Sequence, residues 1–201
     1  MDRQAWNERY RSRDLVWSAE PNGTFAEEAR SLPVGRALDL AAGEGRNAVW
    51  LAERGWAVTA VDFSDVALAK AARMAAAASV DLTTVVEDLA TYRPPARSFD
   101  LVAVIYLQLP SSLRSRVYRR AAEAVAAGGT LVVLGHDTTN LVHGYGGPSD
   151  VDVLFSPDDV RADVDGTSLT VEKAVRVERR VDTSDGERTA IDALVTARRA
   201  P

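Results

Sequence analysis

Arg36-Ala37-Leu38-Asp39-Leu40-Ala41-Ala42-Gly43-Glu44-Gly45-Arg46-Asn47 is the stretch that decides the fold. Arg36–Leu40 reads as a strand and Glu44–Arg54 as a helix, with Gly43 and Gly45 at the junction. Glycines in such a place let the backbone pass close to a ligand. A second strand, Ala57–Val61, ends in Asp62, 19 residues after Gly43. An acid there can accept both ribose hydroxyls of an adenosine. The pattern predicts an adenosine-containing ligand at the carboxyl ends of the strands. It leaves open a dinucleotide or S-adenosyl-L-methionine.

Outward from this loop, apolar runs alternate with helical patterns. Ser64 is the expected N-cap of a helix to about Ala78. Leu82–Val86, Phe99–Ile105 and Thr130–Leu134 read as the third, fourth and fifth strands. The fourth is nearly all apolar, as in a strand buried on both faces. Ser111–Ala127 reads as a helix closed by Gly128-Gly129. Residues 136–155 read as an irregular glycine-rich loop. Ser156-Pro157 starts a short helix, and about 168–181 and 188–198 form a hairpin turning at Thr183-Ser184-Asp185-Gly186. Strands alternating with helices predict a Rossmann-like α/β fold: a seven-stranded, mostly parallel sheet with an antiparallel C-terminal hairpin strand and helices on both faces. Two short helices are expected within the first thirty residues. The whole is read as one domain, 1–201: an N-terminal helical segment at 1–32, a core at 35–135, and a loop, short helix and hairpin at 136–201.

Composition narrows the function. The 201 residues carry 24 basic and 29 acidic side chains, a net charge of -5. A protein built to grip phosphate backbones shows a basic excess, so no nucleic-acid partner is expected. With no cysteine, disulfides, iron–sulfur clusters, zinc fingers and a cysteine nucleophile are excluded, and no metal site is expected. The chain opens on a polar segment and has no run of eighteen apolar residues, which predicts a cytoplasmic protein with no membrane partner. A monomer or homodimer is expected.

Three features favour S-adenosylmethionine over a dinucleotide. Asp39, four residues before Gly43, can meet an ammonium group, whereas it would repel a pyrophosphate. The third strand runs out into Glu87-Asp88-Leu89, where an acid can receive an adenine amino group. The fifth strand follows a Gly-Gly turn. Together these residues resemble the class I S-adenosylmethionine-dependent methyltransferases over about residues 35–135. The pattern departs from that family at Ala41, where glycine is common; alanine fits if its φ stays negative. Trp6-Asn7-Glu8-Arg9-Tyr10, Trp17 and Glu20-Pro21-Asn22, ahead of Gly43-Glu44-Gly45-Arg46-Asn47, look like the tellurite-resistance and thiopurine methyltransferase-like small-molecule group.

That resemblance implies the following roles. Asp39, Ala41 and Gly43 line the methionine end, Gly45 belongs to the same cofactor-binding loop, Asn47 faces the cofactor, Trp17 covers the methionine tail, and the N-terminal helices at 1–32 form a lid over the cofactor. Asp62 holds the ribose, with Phe63 on the adenine and Ser64 beside it. Asp88 and Leu89 hold the adenine edge. Ile105 and Tyr106 lie under the sulfonium. The expected activity is in-line methyl transfer to a thiol, chalcogen or heterocyclic small molecule. The donor is already activated, so the protein mainly aligns the partners. His136 is the first candidate base or anion-binding group and Tyr106 the second. Tyr10, His143 and Tyr145 are candidate substrate contacts. The competing readings are an NAD-dependent oxidoreductase on Gly43-Glu44-Gly45-Arg46-Asn47-Ala48, nucleic-acid methylation, and a non-catalytic S-adenosylmethionine-binding protein. Against the second, Ile105-Tyr106-Leu107-Gln108-Leu109-Pro110 lacks the Asn/Asp-Pro-Pro-aromatic run of base-methylating enzymes.

Overall fold

The computed structural model describes residues 2–201. In chain order the elements are α1 (Arg3–Arg11), α2 (Gly23–Ala29), β1 (Arg36–Leu40), α3 (Arg46–Glu53), β2 (Ala57–Asp62), α4 (Asp65–Ala77), β3 (Thr83–Val86), β4 (Phe99–Ile105), α5 (Ser111–Ala124), β5 (Val125–His136), α6 (Asn140–His143), a 3-10 turn (Val151–Val153), α7 (Pro157–Val164), β6 (Leu169–Thr183) and β7 (Gly186–Arg199). The seven strands form one sheet in the order β3-β2-β1-β4-β5-β7-β6. The strands β1 to β5 pair in parallel, and β7 runs antiparallel to both β5 and β6.

Successive strand residues point to opposite faces, and both faces are buried. Leu38, Leu40, Val102, Val104, Leu131 and Val133 pack against Val117 and Tyr118 of α5 and Val160 of α7. Their neighbours Ala37, Leu101, Ala103, Ile105, Val132 and Leu134 pack against Phe25 of α2, Leu51 of α3 and Leu68 of α4. Each buried leucine or valine contributes about 1.5–3 kcal/mol, so this double-sided core fixes the sheet. It also leaves the carboxyl ends of β1, β2, β4 and β5 side by side, with the strand-to-helix turns above them.

The helix predicted over Ser111–Ala127 ends earlier, at Ala124. The chain enters β5 at Val125, where Arg199 donates from Nε to the Val125 carbonyl at 2.7 Å. Gly128 (φ 72) sits within the strand, where the register against β4 slips between Phe99 and Leu101. The Gly-Gly pair therefore makes a bulge in a long strand, not a helix cap. The segment after β5 is less irregular than its composition suggests. Asp137 accepts from Thr139 and Arg176, and Asn140 ties Gly146 to the Ile191 backbone.

The N-terminal helices lie against the glycine loop. Glu44, buried within that loop, accepts from the backbone N–H of Val16 and Trp17 and from Lys70 Nζ at 2.9 Å. Lys70 donates in turn to the Tyr10 and Arg13 carbonyls. The side chain of Asn47 accepts from the Asn22 N–H at 2.9 Å, and Ser64 Oγ donates to Asn7 at 2.6 Å. Removing one member of a buried charge pair costs about 3–5 kcal/mol because the other is left uncompensated. Glu44→Ala is expected to lose roughly 3 kcal/mol and to speed tryptic cleavage at Arg9, Arg11 and Arg13, while the sheet stays intact. Unchanged cleavage would show that another contact holds the segment.

Candidate active site

The glycine loop begins with strain. Ala41 stands in the left-handed region at φ 61, against the negative angle expected for an alanine there. A Cβ in that region costs about 1–2 kcal/mol. The loop geometry demands it: Ala42 N–H must turn back to the Val61 carbonyl at 3.1 Å. Gly43 (φ 55) is covered by Tyr10, whose hydroxyl would lie 3.0 Å from a Cβ at that position. Gly45 (φ 82) faces α4, and a Cβ would come within 2.5 Å of the Ala71 methyl. Gly45 is thus explained by helix packing as well as by backbone conformation.

Two acids lie beneath this loop. Asp62 accepts from Gly43 N–H and Ser64 N–H, both at 2.9 Å. Burial raises its carboxyl above the ordinary value, and the backbone N–H groups oppose the rise. Asp39, at the end of β1, is only 1% exposed, and its Oδ2 has no hydrogen-bond partner. Burial, then repulsion from Asp62, pushes its carboxyl up to about 7. A buried carboxylate oxygen without a donor is unusual and points to a missing partner.

A second cluster gathers at the ends of β4 and β5. Tyr106 follows β4 with φ 57, a strained angle for an aromatic residue. Its hydroxyl donates to Asp192 Oδ2 at 2.6 Å and accepts from Arg179 Nε at 3.1 Å and Asn22 Nδ2 at 3.4 Å. Asp192 also accepts from Arg179 Nε at 2.9 Å. Its other oxygen lies 3.2 Å from His136 Nδ1. Asp192 is fully buried, yet its hydrogen bonds hold its carboxyl below the ordinary range. Burial and the adjacent Asp192 charge raise the Tyr106 phenol above its ordinary value. Gly147 (φ 82) lies on the imidazole of His136; a Cβ there would be 2.8 Å from its Cδ2.

The other sequence candidates are placed as follows. Phe63 is half-buried beside Asp62, and Ile105 is buried at the end of β4. Leu89 is buried in the core on the α5 face, while Asp88 is exposed and caps Ala90 N–H. Asn47 and Ser64 have side chains engaged by the N-terminal segment, and Ser64 also caps α4. Trp17 is 43% exposed, stacked with the Arg9 guanidinium 5.3 Å from its ring. Tyr10 lies on the glycine loop and not with the Tyr106 cluster. His143 and Tyr145 are exposed on the loop after β5, because Asn140 rather than either ring turns inward. Asp192, Arg179 and Glu44 escaped the sequence reading. An acid inside Ala190-Ile191-Asp192-Ala193-Leu194-Val195 was the available signal, since an unpaired charge is not tolerated in so apolar a strand.

Residues 37–129 match the family described as a methyltransferase domain. That stretch is a methyltransferase domain, and it has the class I fold. The dinucleotide alternative falls with that match, and the domain implies S-adenosylmethionine as cofactor. No curated protein matches the sequence. Solved structures share the fold at low identity. One comes from work on the conversion of a disulfide bond into a thioacetal group during echinomycin biosynthesis; it is 20% identical at TM-score 0.77, over 98% of this chain and 92% of its own. TehB from Haemophilus influenzae is 18% identical at TM-score 0.74, over 96% of this chain and 67% of its own. A SAM-dependent methyltransferase from Methanosarcina mazei is 14% identical at TM-score 0.66, over 90% of this chain and 99% of its own. Among the described residues of the methyltransferase, no helix is long and apolar enough to cross a membrane.

Two predictions follow the loop geometry. Ala41→Gly relieves the left-handed alanine, with about 1 kcal/mol gained and a Tm roughly 2–4 °C higher; a lower Tm would show that the methyl group packs usefully. Asp39 has a folded value raised to about 7, so its stabilising contribution is full below about pH 4 and is lost as pH rises through about 7. Asp39→Asn keeps the neutral form, so its Tm should exceed that of the wild type by several degrees at pH 8, with the gap closing toward pH 4. A gap independent of pH would show that Asp39 does not titrate in this range.

Proposed function

We propose that the methyltransferase acts on a small molecule held beside Tyr106 and His136. The observation that carries this reading is the convergence on one hydroxyl. Asn22 of the N-terminal segment, Arg179 of β6 and Asp192 of β7 all lie within 3.4 Å of the Tyr106 oxygen. A site closed from three sides by side chains in mutual hydrogen bonds suits a small acceptor. A nucleic-acid strand would need an open, basic face.

The residues present fit S-adenosylmethionine. The partnerless oxygen of Asp39 suits the ammonium of the methionine moiety. Asp62 still has lone pairs beyond the two backbone donors and can accept from ribose. Phe63 is the apolar surface nearest that acid in sequence. When bound, the cofactor supplies an electrophilic methyl group. The chain's own residues then bind and orient the acceptor, and His136 accepts its proton.

The test uses methyl-deuterated S-adenosylmethionine with a panel of thiols, sulfide, selenite, tellurite, iodide, phenols and heterocycles, read by mass spectrometry. A labelled small-molecule product with matching S-adenosylhomocysteine is expected. Binding without any product across the panel would favour a cofactor-binding protein. With the acceptor found, His136→Ala should lower kcat about 10²–10⁴-fold, the range for a general base, with cofactor affinity unchanged. Asp39→Asn should weaken cofactor binding at least tenfold, about 1.4 kcal/mol. Wild-type cofactor affinity should rise as pH increases through about 7, since only the ionised carboxylate meets an ammonium ion. Equal losses of kcat and cofactor affinity in His136→Ala would instead make that residue part of the cofactor site.

A further inference from the structure

The two nitrogens of His136 differ. Nδ1 is buried, as is Asp192 Oδ1 beside it, and neither has another hydrogen-bond partner. They face each other at 3.2 Å, off the line of an ideal hydrogen bond. Nε2 makes no hydrogen bond among the described residues and is not sealed from solvent, on a side chain that is 13% exposed. Asp192 cannot turn away from this task. Its second oxygen is held by the Tyr106 hydroxyl at 2.6 Å and by Arg179 Nε at 2.9 Å. Its backbone is fixed by the β5–β7 register, in which His136 and Asp192 are direct partners.

We propose that Asp192 is a positioning residue that keeps the His136 proton on Nδ1 and thereby presents Nε2 as the proton acceptor of the site. A buried carboxylate is acceptor-only, so the facing ring nitrogen must carry the hydrogen. The other nitrogen of a neutral imidazole is then a free lone pair. The acceptor enters as X–H. Its proton moves to Nε2 and the X–H electron pair stays on X; a bound sulfonium would supply the methyl group, its carbon–sulfur bond breaking onto sulfur as the X–carbon bond forms. The charge that develops on the imidazole faces Asp192 until the proton leaves to solvent. Arg179 and Tyr106 act one step further back, by fixing the carboxylate. This inference rests on the small-molecule reading for its purpose but not for its geometry.

The chain has only two histidines, His136 and His143, so the tautomer is directly readable. Protein labelled with ¹⁵N-histidine is recorded in long-range proton–nitrogen correlation spectra at pH 8, with His143→Gln assigning the signals. The expected wild-type result is a His136 ring with hydrogen on Nδ1 and a bare Nε2. Asp192→Ala should move the hydrogen to Nε2, the form preferred by free imidazole, and Asp192→Glu should restore it in part. A wild-type His136 with hydrogen on Nε2 overturns the proposal, even if the alanine variant fails to fold. A folded alanine variant with an unchanged tautomer also overturns it. The readout needs neither acceptor nor turnover. A negative acceptor panel with the expected tautomer would therefore fault the small-molecule reading alone.

Discussion

Glu44 is a charged side chain at the centre of a loop otherwise made of alanine and glycine, and its burial organises the N-terminal third of the molecule. A carboxylate taken out of water costs several kcal/mol unless donors replace the solvent. Here Val16, Trp17 and Lys70 supply them, and Lys70 completes its own shell with two carbonyls from α1 and the turn after it. The result is reciprocal. The segment before α2 cannot leave without stranding both charges, and the loop cannot shift without pulling on that segment. Tyr10 is thereby set over Gly43 and Asn22 is set near Tyr106.

Three further buried acids show how environment separates chemically identical groups. Asp62 is held by backbone N–H groups and serves the turn. Asp39 has desolvation and a neighbouring negative charge with no compensating donor at Oδ2, so it is high in energy as an anion. Asp192 has a guanidinium, a phenol and an imidazole around it and stays ionised. An unsatisfied carboxylate gains from a cation that arrives later. A satisfied one has little left to offer a ligand and acts through the groups it holds. The same reasoning separates Tyr106 from His136: the phenol hydrogen is already committed to Asp192, whereas one imidazole nitrogen is not committed at all.

The parallel core was legible because its strands are short apolar runs with acids at their carboxyl ends. Asp39 and Asp62 could be picked out for that reason. Ser156-Pro157 was equally plain, since a cap and a proline in the first turn act locally. The Gly128-Gly129 pair misled because the same dipeptide serves a helix end or a strand bulge, and only the pairing of Val125 with Phe99 separates them. Ala41 misled because its angle is imposed by the turn onto Val61, a contact twenty residues away. Glu44, Asn47 and Ser64 carry side-chain duties toward residues 7–22, which no local pattern announces. His136 was visible as a histidine at a strand end, but the partner that gives it a direction lies 56 residues later.

That partner is a consequence of topology. In a parallel sheet, every strand brings its carboxyl end to the functional edge, and the loops that follow supply the chemistry. The reversed strand β7 brings its interior there instead, because Gly186–Ile191 runs beyond the end of β5 before pairing with it begins at Asp192. The first residue of β7 to pair with β5 is therefore set beside the last residue of β5. Both positions are fixed by ladder hydrogen bonds rather than by loop conformation, and β6 follows in register to bring Arg179 onto the same carboxylate. An acid on a loop would need a fold of its own to reach that precision. Placing it on the antiparallel strand gives the histidine a rigid neighbour and leaves the opposite side of the ring to the glycine-rich segment around Gly147. The reversal of one strand thus supplies what the parallel core lacks: a side chain that approaches the site from inside the sheet.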